Sequence, residues 1–109
     1  MSYFVYITTN PGRTVLYIGI TNDLSRRLKE HYEARGNDKS FAGKYYCHRL
    51  LFFEQYPTAH GAIDREKQIK KWRRSKKEWL INQVNPQWHF INDNYVEYGS
   101  NKIPRQGSG

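Results

Sequence analysis

The chain has 109 residues, 38% hydrophobic and 16% aromatic, which suits one domain with one core and excludes two. Eighteen Lys and Arg against ten Asp and Glu leave a formal charge of +8, favouring a polyanionic partner, nucleic acid ahead of an anionic membrane surface. No apolar run approaches the roughly 20 residues of a membrane span, the N-terminus lacks a secretory pattern, and the single Cys47 excludes an internal disulfide or a cysteine-built zinc site, so a cytoplasmic, reducing setting without membrane contact is expected.

Ser2 to Thr8 and Thr14 to Ile20 are rich in β-branched and aromatic residues, and Thr9-Asn10-Pro11-Gly12-Arg13 between them is a cluster of turn formers. The segment therefore reads as a β-hairpin. A turn centred between Pro11 and Gly12 places Tyr6 directly opposite Tyr17. Such a pair is ordinary sheet packing when taken by itself, and the placement depends on register. Asn22 is the expected N-cap of a helix from Asp23 to about Glu33, with Asp23 favourably near its start. Residues 35–44 are polar and aperiodic, so a loop is expected there. Tyr45 to Tyr56 holds a third strand centred on Leu50 to Phe53. Thr58 caps a long helix to about Arg74, and Ser75 with Glu78 forms a capping-box pattern that opens a short helix to about Val84. Asn85-Pro86 ends it. The domain is expected over residues 1–95, with a flexible tail over 96–109. The order β-β-α-β-α-α predicts an α/β layered domain, a small sheet flanked by helices.

Several polar residues fall where apolar ones belong. Leu24, Arg27, Leu28 and His31 share the inward stripe of the first helix. Cationic side chains at a stripe edge usually snorkel, but two stacked at i and i+4 repel one another, a conflict that a bound phosphate removes. On the second helix Glu66 shares the inward stripe with Ala62 and Ile69; its simplest role is an ion pair with Lys70. Around it runs a basic face that includes Arg65, Lys70, Arg73, Arg74, Lys76 and Lys77, suited to phosphate contact. If both helices cover one face of the sheet, Tyr6, Tyr17, Arg27, His31 and Glu66 converge. Two phenols, a guanidinium, an imidazole and a carboxylate suit phosphodiester chemistry.

These residues resemble the GIY-YIG nuclease superfamily, in particular its small single-domain bacterial branch and the nuclease domain of the excision-repair endonuclease. Tyr17-Ile18-Gly19 is the second motif intact, while Phe4-Val5-Tyr6 keeps only the tyrosine of the first, ten residues before Tyr17. Leu16 to Leu24, then Arg27-Leu28 and His31, look like the core signature; Ala62-Ile63, Glu66, Ile69-Lys70 and Asn85-Pro86 with Trp88 follow it downstream. The resemblance implies a three-stranded antiparallel sheet flanked by helices and a metal-dependent endonuclease acting on nucleic acid, DNA before RNA, with DNA repair or recombination as its setting and no small-molecule cofactor. By the same resemblance Tyr6 is the general base or orients the attacking water, Tyr17 supports the nucleophile or scissile phosphate, Arg27 stabilises the phosphate, His31 assists as a phosphate or proton-transfer group, and Glu66 holds Mg²⁺ or Mn²⁺. Asn85 is the late site residue, with Asn82 as rival. A nearby Arg27 and the metal are expected to favour the Tyr6 phenolate. Ile20 stands where some relatives carry a lysine. The rival from another class is a non-catalytic basic nucleic-acid-binding module on the same fold.

Overall fold

The computed structural model describes residues 1–92, so the expected boundary at 95 and the tail over 96–109 lie outside the described residues. Three strands, β1 (Tyr3–Thr9), β2 (Leu16–Thr21) and β3 (Arg49–Tyr56), pair antiparallel in the order β2-β1-β3. The central strand β1 alternates Val5 and Ile7 on one face with Phe4, Tyr6 and Thr8 on the other, as the pleat requires.

Two helices, α3 (Ala59–Lys70) and α4 (Arg74–Val84), cover the Val5 face. There Val5, Ile7, Ile18, Leu51, Phe52, Ala62, Ile69, Leu80 and Ile81 form the main core. Each fully buried aliphatic side chain of this kind stabilises the fold by roughly 1.5–3 kcal/mol. The opposite face carries α1 (Leu24–Glu33), whose Leu24 and Leu28 pack with Tyr6 and Leu50 in a smaller cluster. The expectation that both long helices share one face is therefore corrected. Helical periodicity fixes which stripe points inward but leaves open which side of the sheet receives it.

Four local details also differ from expectation. The hairpin register pairs Tyr6 with Gly19 and Tyr17 with Thr8, two residues away from the expected register. Asn10 causes the shift: its Oδ1 accepts from the backbone N–H groups of Thr14 (2.8 Å) and Val15 (3.0 Å), lengthening the loop beyond Arg13. A short helix, α2 (Phe41–Lys44), stands inside the expected loop, capped by Ser40 Oγ accepting from the Gly43 N–H at 3.0 Å. The cap of α1 is Asp23 rather than Asn22, its Oδ1 accepting from the Arg26 N–H at 3.0 Å. The Ser75–Glu78 capping box does not form, because Glu78 instead pairs with Arg74 at 2.9 Å.

Beyond α4, Asn85 and Asn92 satisfy backbone groups on the outer strand β3. Asn85 Nδ2 donates to the carbonyls of Leu51 and His89, each at 2.9 Å, while its Oδ1 accepts from the His89 N–H at 3.0 Å. Asn92 Oδ1 accepts from the Leu50 N–H at 2.7 Å, and its Nδ2 donates to the His48 carbonyl at 2.9 Å. Unpaired strand edges are thereby covered by side-chain amides. No described helix is long and apolar enough to cross a membrane.

Candidate active site

Tyr6 and Tyr17 lie diagonally on the α1 face, their ring centroids 6.2 Å apart. A register shift of two residues preserves the face, so the tyrosines stay neighbours although they are not partners. Gly19, directly opposite Tyr6, makes room for the phenol. A Cβ there would collide with the Tyr6 hydroxyl and Cζ, and would stand 2.9 Å from Tyr17 Cε2.

The Tyr6 hydroxyl is fully enclosed and meets two side chains of α1: His31 Nε2 at 2.7 Å, and Arg27, whose Nε donates to it at 3.3 Å. Burial pushes the Tyr6 phenol above its ordinary range, and the neighbouring Tyr17 adds to the effect; Arg27 opposes it without winning. The expected phenolate is thus not the resting state, because loss of hydration outweighs one guanidinium. Burial, reinforced by the Arg27 charge, lowers His31 to about 4, so its imidazole is neutral at pH 7. A protonated phenol beside a neutral imidazole means that Tyr6 O–H donates to His31 Nε2. Both tyrosines also meet the His31 ring edge-on, at 5.7 Å for Tyr6 and 5.3 Å for Tyr17.

Tyr17 is partly exposed, and its hydroxyl makes no hydrogen bond among the described residues. It lines a pocket of about 270 Å³ with Arg27, Glu30, His31, Ala34, Ser40, Phe41 and Ala42. Arg27 is half-buried there and donates to Glu30 at 3.1 Å. Glu30, Ala34, Ser40, Phe41 and Ala42 are the pocket residues that sequence reasoning misses. Glu30 lies off the apolar stripe, and the aperiodic segment around Ser40 and Phe41 carries no signal of its direction.

The remaining expected site residues lie elsewhere. Glu66 is on α3, whose Ala62 and Ile69 pack on the opposite face of the sheet, and its carboxylate pairs with Lys70 at 2.9 Å. Asn85 bonds three backbone groups beside β3, and Asn82 accepts from Trp88 Nε1 at 2.6 Å. Much of the expected basic face is internally engaged. Arg65 grips Glu54 through two bonds of 2.9 and 3.0 Å, and Arg74 bonds Glu78 and the Thr14 carbonyl. Lys76 sits 4.4 Å over the Trp72 ring. Arg73 and Lys77 have no side-chain partner among the described residues. Among those residues no group of three or more His, Cys, Asp and Glu converges on a metal position.

A three-stranded antiparallel sheet whose first hairpin sets two tyrosines against an arginine and a histidine of the next helix defines a small nuclease-type α/β domain. The profile of the GIY-YIG catalytic domain matches residues 2–79, and the chain belongs to this nuclease superfamily. It is 34% identical to a UPF0213 protein of Haloquadratum walsbyi over 85 residues, covering 74% of this chain and 88% of that one. A UPF0213 protein of Syntrophus aciditrophicus is 36% identical over 88 residues, covering 77% and 93% respectively. The solution structure of a UPF0213 protein from Bacillus halodurans is similar with a TM-score of 0.52 and 26% identity, over 89% of this chain and 100% of that one. GIY-YIG nuclease domains generally use divalent metal ions.

Proposed function

We propose that this chain is an endonuclease that hydrolyses phosphodiester bonds in nucleic acid, DNA before RNA, at the pocket beside Tyr17. The observation that carries this reading is the Tyr6–His31–Arg27 cluster. One enclosed hydroxyl donates to a neutral imidazole at 2.7 Å and accepts from a guanidinium at 3.3 Å, next to a pocket lined by the Tyr17 phenol.

Each residue then has a task set by its surroundings. Arg27 exchanges Glu30 for a phosphate oxygen and neutralises the charge that grows there. Tyr17, whose hydroxyl makes no hydrogen bond among the described residues, orients the attacking water or the phosphate. Tyr6 acts as base without resting as a phenolate: a proton of the attacking water passes to its hydroxyl as the hydroxyl's own proton passes to His31 Nε2, which ends as imidazolium. Glu66 is a single carboxylate, which fits a Mg²⁺ site built from one or two carboxylates, water and phosphate oxygens once Lys70 releases it. Mg²⁺ or Mn²⁺ held by Glu66 would supply Lewis-acid chemistry, but α3 packs on the sheet face opposite α1, so no step at the Tyr17 pocket is routed through it. The domain would serve nucleic-acid repair or recombination in the cytoplasm.

The Lys70–Glu66 ion pair favours a second reading, a basic module that binds nucleic acid without turnover. One assay separates the two. Labelled single-stranded, duplex and branched DNA and RNA are incubated with Mg²⁺ or Mn²⁺, using wild type, Tyr6→Phe and Glu66→Gln. Cleavage by wild type and a loss of roughly 10²–10⁴-fold in Tyr6→Phe, with binding retained, support the endonuclease, and a collapse in Glu66→Gln supports Glu66 as the metal ligand. Tyr6→Phe within about threefold of wild type, or no cleavage of any substrate, leaves the binding module.

A further inference from the structure

Beside the tyrosine pocket stands a row of exposed aromatic rings for which the cleavage chemistry has no use. Phe41 opens α2, and its ring faces Tyr17 with centroids 6.3 Å apart and planes 25° from parallel. The Tyr45 ring follows at 4.8 Å from Phe41, and the Lys44 ammonium lies 5.4 Å over the Tyr45 ring. Phe41 is 52% exposed and Tyr45 40% exposed, although both are large rings that folding ordinarily covers.

The base beneath them is rigid. Ser40 caps α2, the Gly36 N–H donates to the Gly43 carbonyl at 2.8 Å, and a Cβ at Gly43 would stand 2.5 Å from the Asn37 carbonyl oxygen. The backbone that carries the rings is therefore tied down at the mouth of the pocket, and Phe41 itself lines it. Lys44 at the ledge and Arg27 in the pocket add positive charge along the same path, which suits a polyanionic strand.

Resting on the reading of the pocket as the place of phosphodiester hydrolysis, we infer that Phe41 and Tyr45 form a stacking ledge for an unpaired nucleobase flanking the scissile phosphate. Every base offers a π-face, so such a ledge holds the strand without reading its sequence. Tyr17 joins the two functions: its hydroxyl faces the chemistry and its ring continues the ledge. A base stacked on Phe41 fixes the sugar-phosphate beside it against Tyr17 and Arg27.

The test uses the whole chain and a short single-stranded DNA oligonucleotide carrying 2-aminopurine at each position near the cut in turn, with EDTA for binding and Mg²⁺ for turnover. Wild type is expected to quench the fluorophore at one position. Phe41→Leu should abolish that quench and raise Kd and KM about tenfold, with kcat changed less than about threefold, while Phe41→Trp restores wild-type behaviour. An abasic nucleotide at the same position should weaken wild type by a similar factor and leave Phe41→Leu unaffected. Thermal melting checks that each variant is folded. The ledge is overturned if Phe41→Leu and Tyr45→Leu bind and quench like wild type, or if Phe41→Leu loses equally on intact and abasic strands. A concentration-dependent dimer that Phe41→Leu abolishes without changing nucleic-acid binding would also overturn it, giving the rings to a second copy of the chain. Failure of wild type to bind any nucleic acid removes ledge and cleavage together. Wild-type cleavage matched by Phe41→Leu removes the ledge only.

Discussion

The two faces of the sheet are built from the same strands and put to opposite uses. On the α3/α4 face Val5, Ile7 and Ile18 meet Ala62, Ile69, Leu80 and Ile81 in the larger apolar cluster. On the α1 face Phe4, Tyr6, Thr8, Tyr17 and Gly19 meet Leu24, Leu28, Arg27 and His31, where hydroxyls, a guanidinium and an imidazole are interleaved with a thinner apolar cluster. Strand alternation therefore divides labour residue by residue: odd positions of β1 hold the fold together and even positions furnish the site. Chemistry on one face can tolerate its buried polar groups because the other face carries most of the apolar burial.

The sharpest way to break this comparison is to set one variant from each face side by side. Ile69→Ala should lower stability by about 2–5 kcal/mol in a denaturant titration and leave turnover per folded molecule unchanged. Tyr17→Phe should do the reverse, with melting held and cleavage lowered on the order of 10²-fold or more. A Tyr17→Phe protein as active as wild type would make the α1 face a second core.

A smaller effect concerns pH. The folded pKa of His31, at about 4, lies below its unfolded value near 6.5, so the unfolded chain binds the extra proton first. Stability contributed by the neutral ring is present above about pH 6.5 and is lost as pH falls toward 4, by on the order of 2 kcal/mol. Denaturant midpoints recorded between pH 7 and 4 should show this acid limb in wild type and a flatter one in His31→Gln. An unchanged limb would place the titrating group elsewhere.

The smallest effects belong to the basic run. Arg73 and Lys77 lack side-chain partners among the described residues, whereas Arg65 and Arg74 are held by Glu54 and Glu78. Arg73→Ala and Lys77→Ala should each reduce the salt slope of nucleic-acid binding by roughly 1, and Arg65→Ala by less, with stability falling instead. Binding indifferent to salt would remove the electrostatic contribution altogether.

Much of this arrangement is legible in the residues alone. The stripe Leu24, Leu28, His31 of α1 is buried where its spacing places it, and the three strands occur where β-branched and aromatic runs put them. The tyrosines share a face despite the different register, because the two registers differ by an even number of residues. Relations between distant segments are not legible. Nothing in the period of α3 says that Glu66 sits across the sheet from Tyr6. The amide of Asn85 offers no local sign that its bonds end at Leu51 and His89. Likewise the four residues of α2 are too few to show a period, so the aromatic rings at the pocket mouth read as loop.

Gly19 and Tyr6 occupy one shared volume, and this couples the choice of residue at the two positions. Any side chain added at position 19 claims space held by the Tyr6 hydroxyl and Cζ. Removing the hydroxyl alone does not vacate that space, since Cζ remains, so a larger residue at 19 can be accommodated only with a much smaller ring or none at position 6. The third letter of the second motif thus reports on the last letter of the first. A chain that keeps the glycine has kept a berth for the phenol, even where, as here, the glycine and isoleucine of the first motif have been replaced.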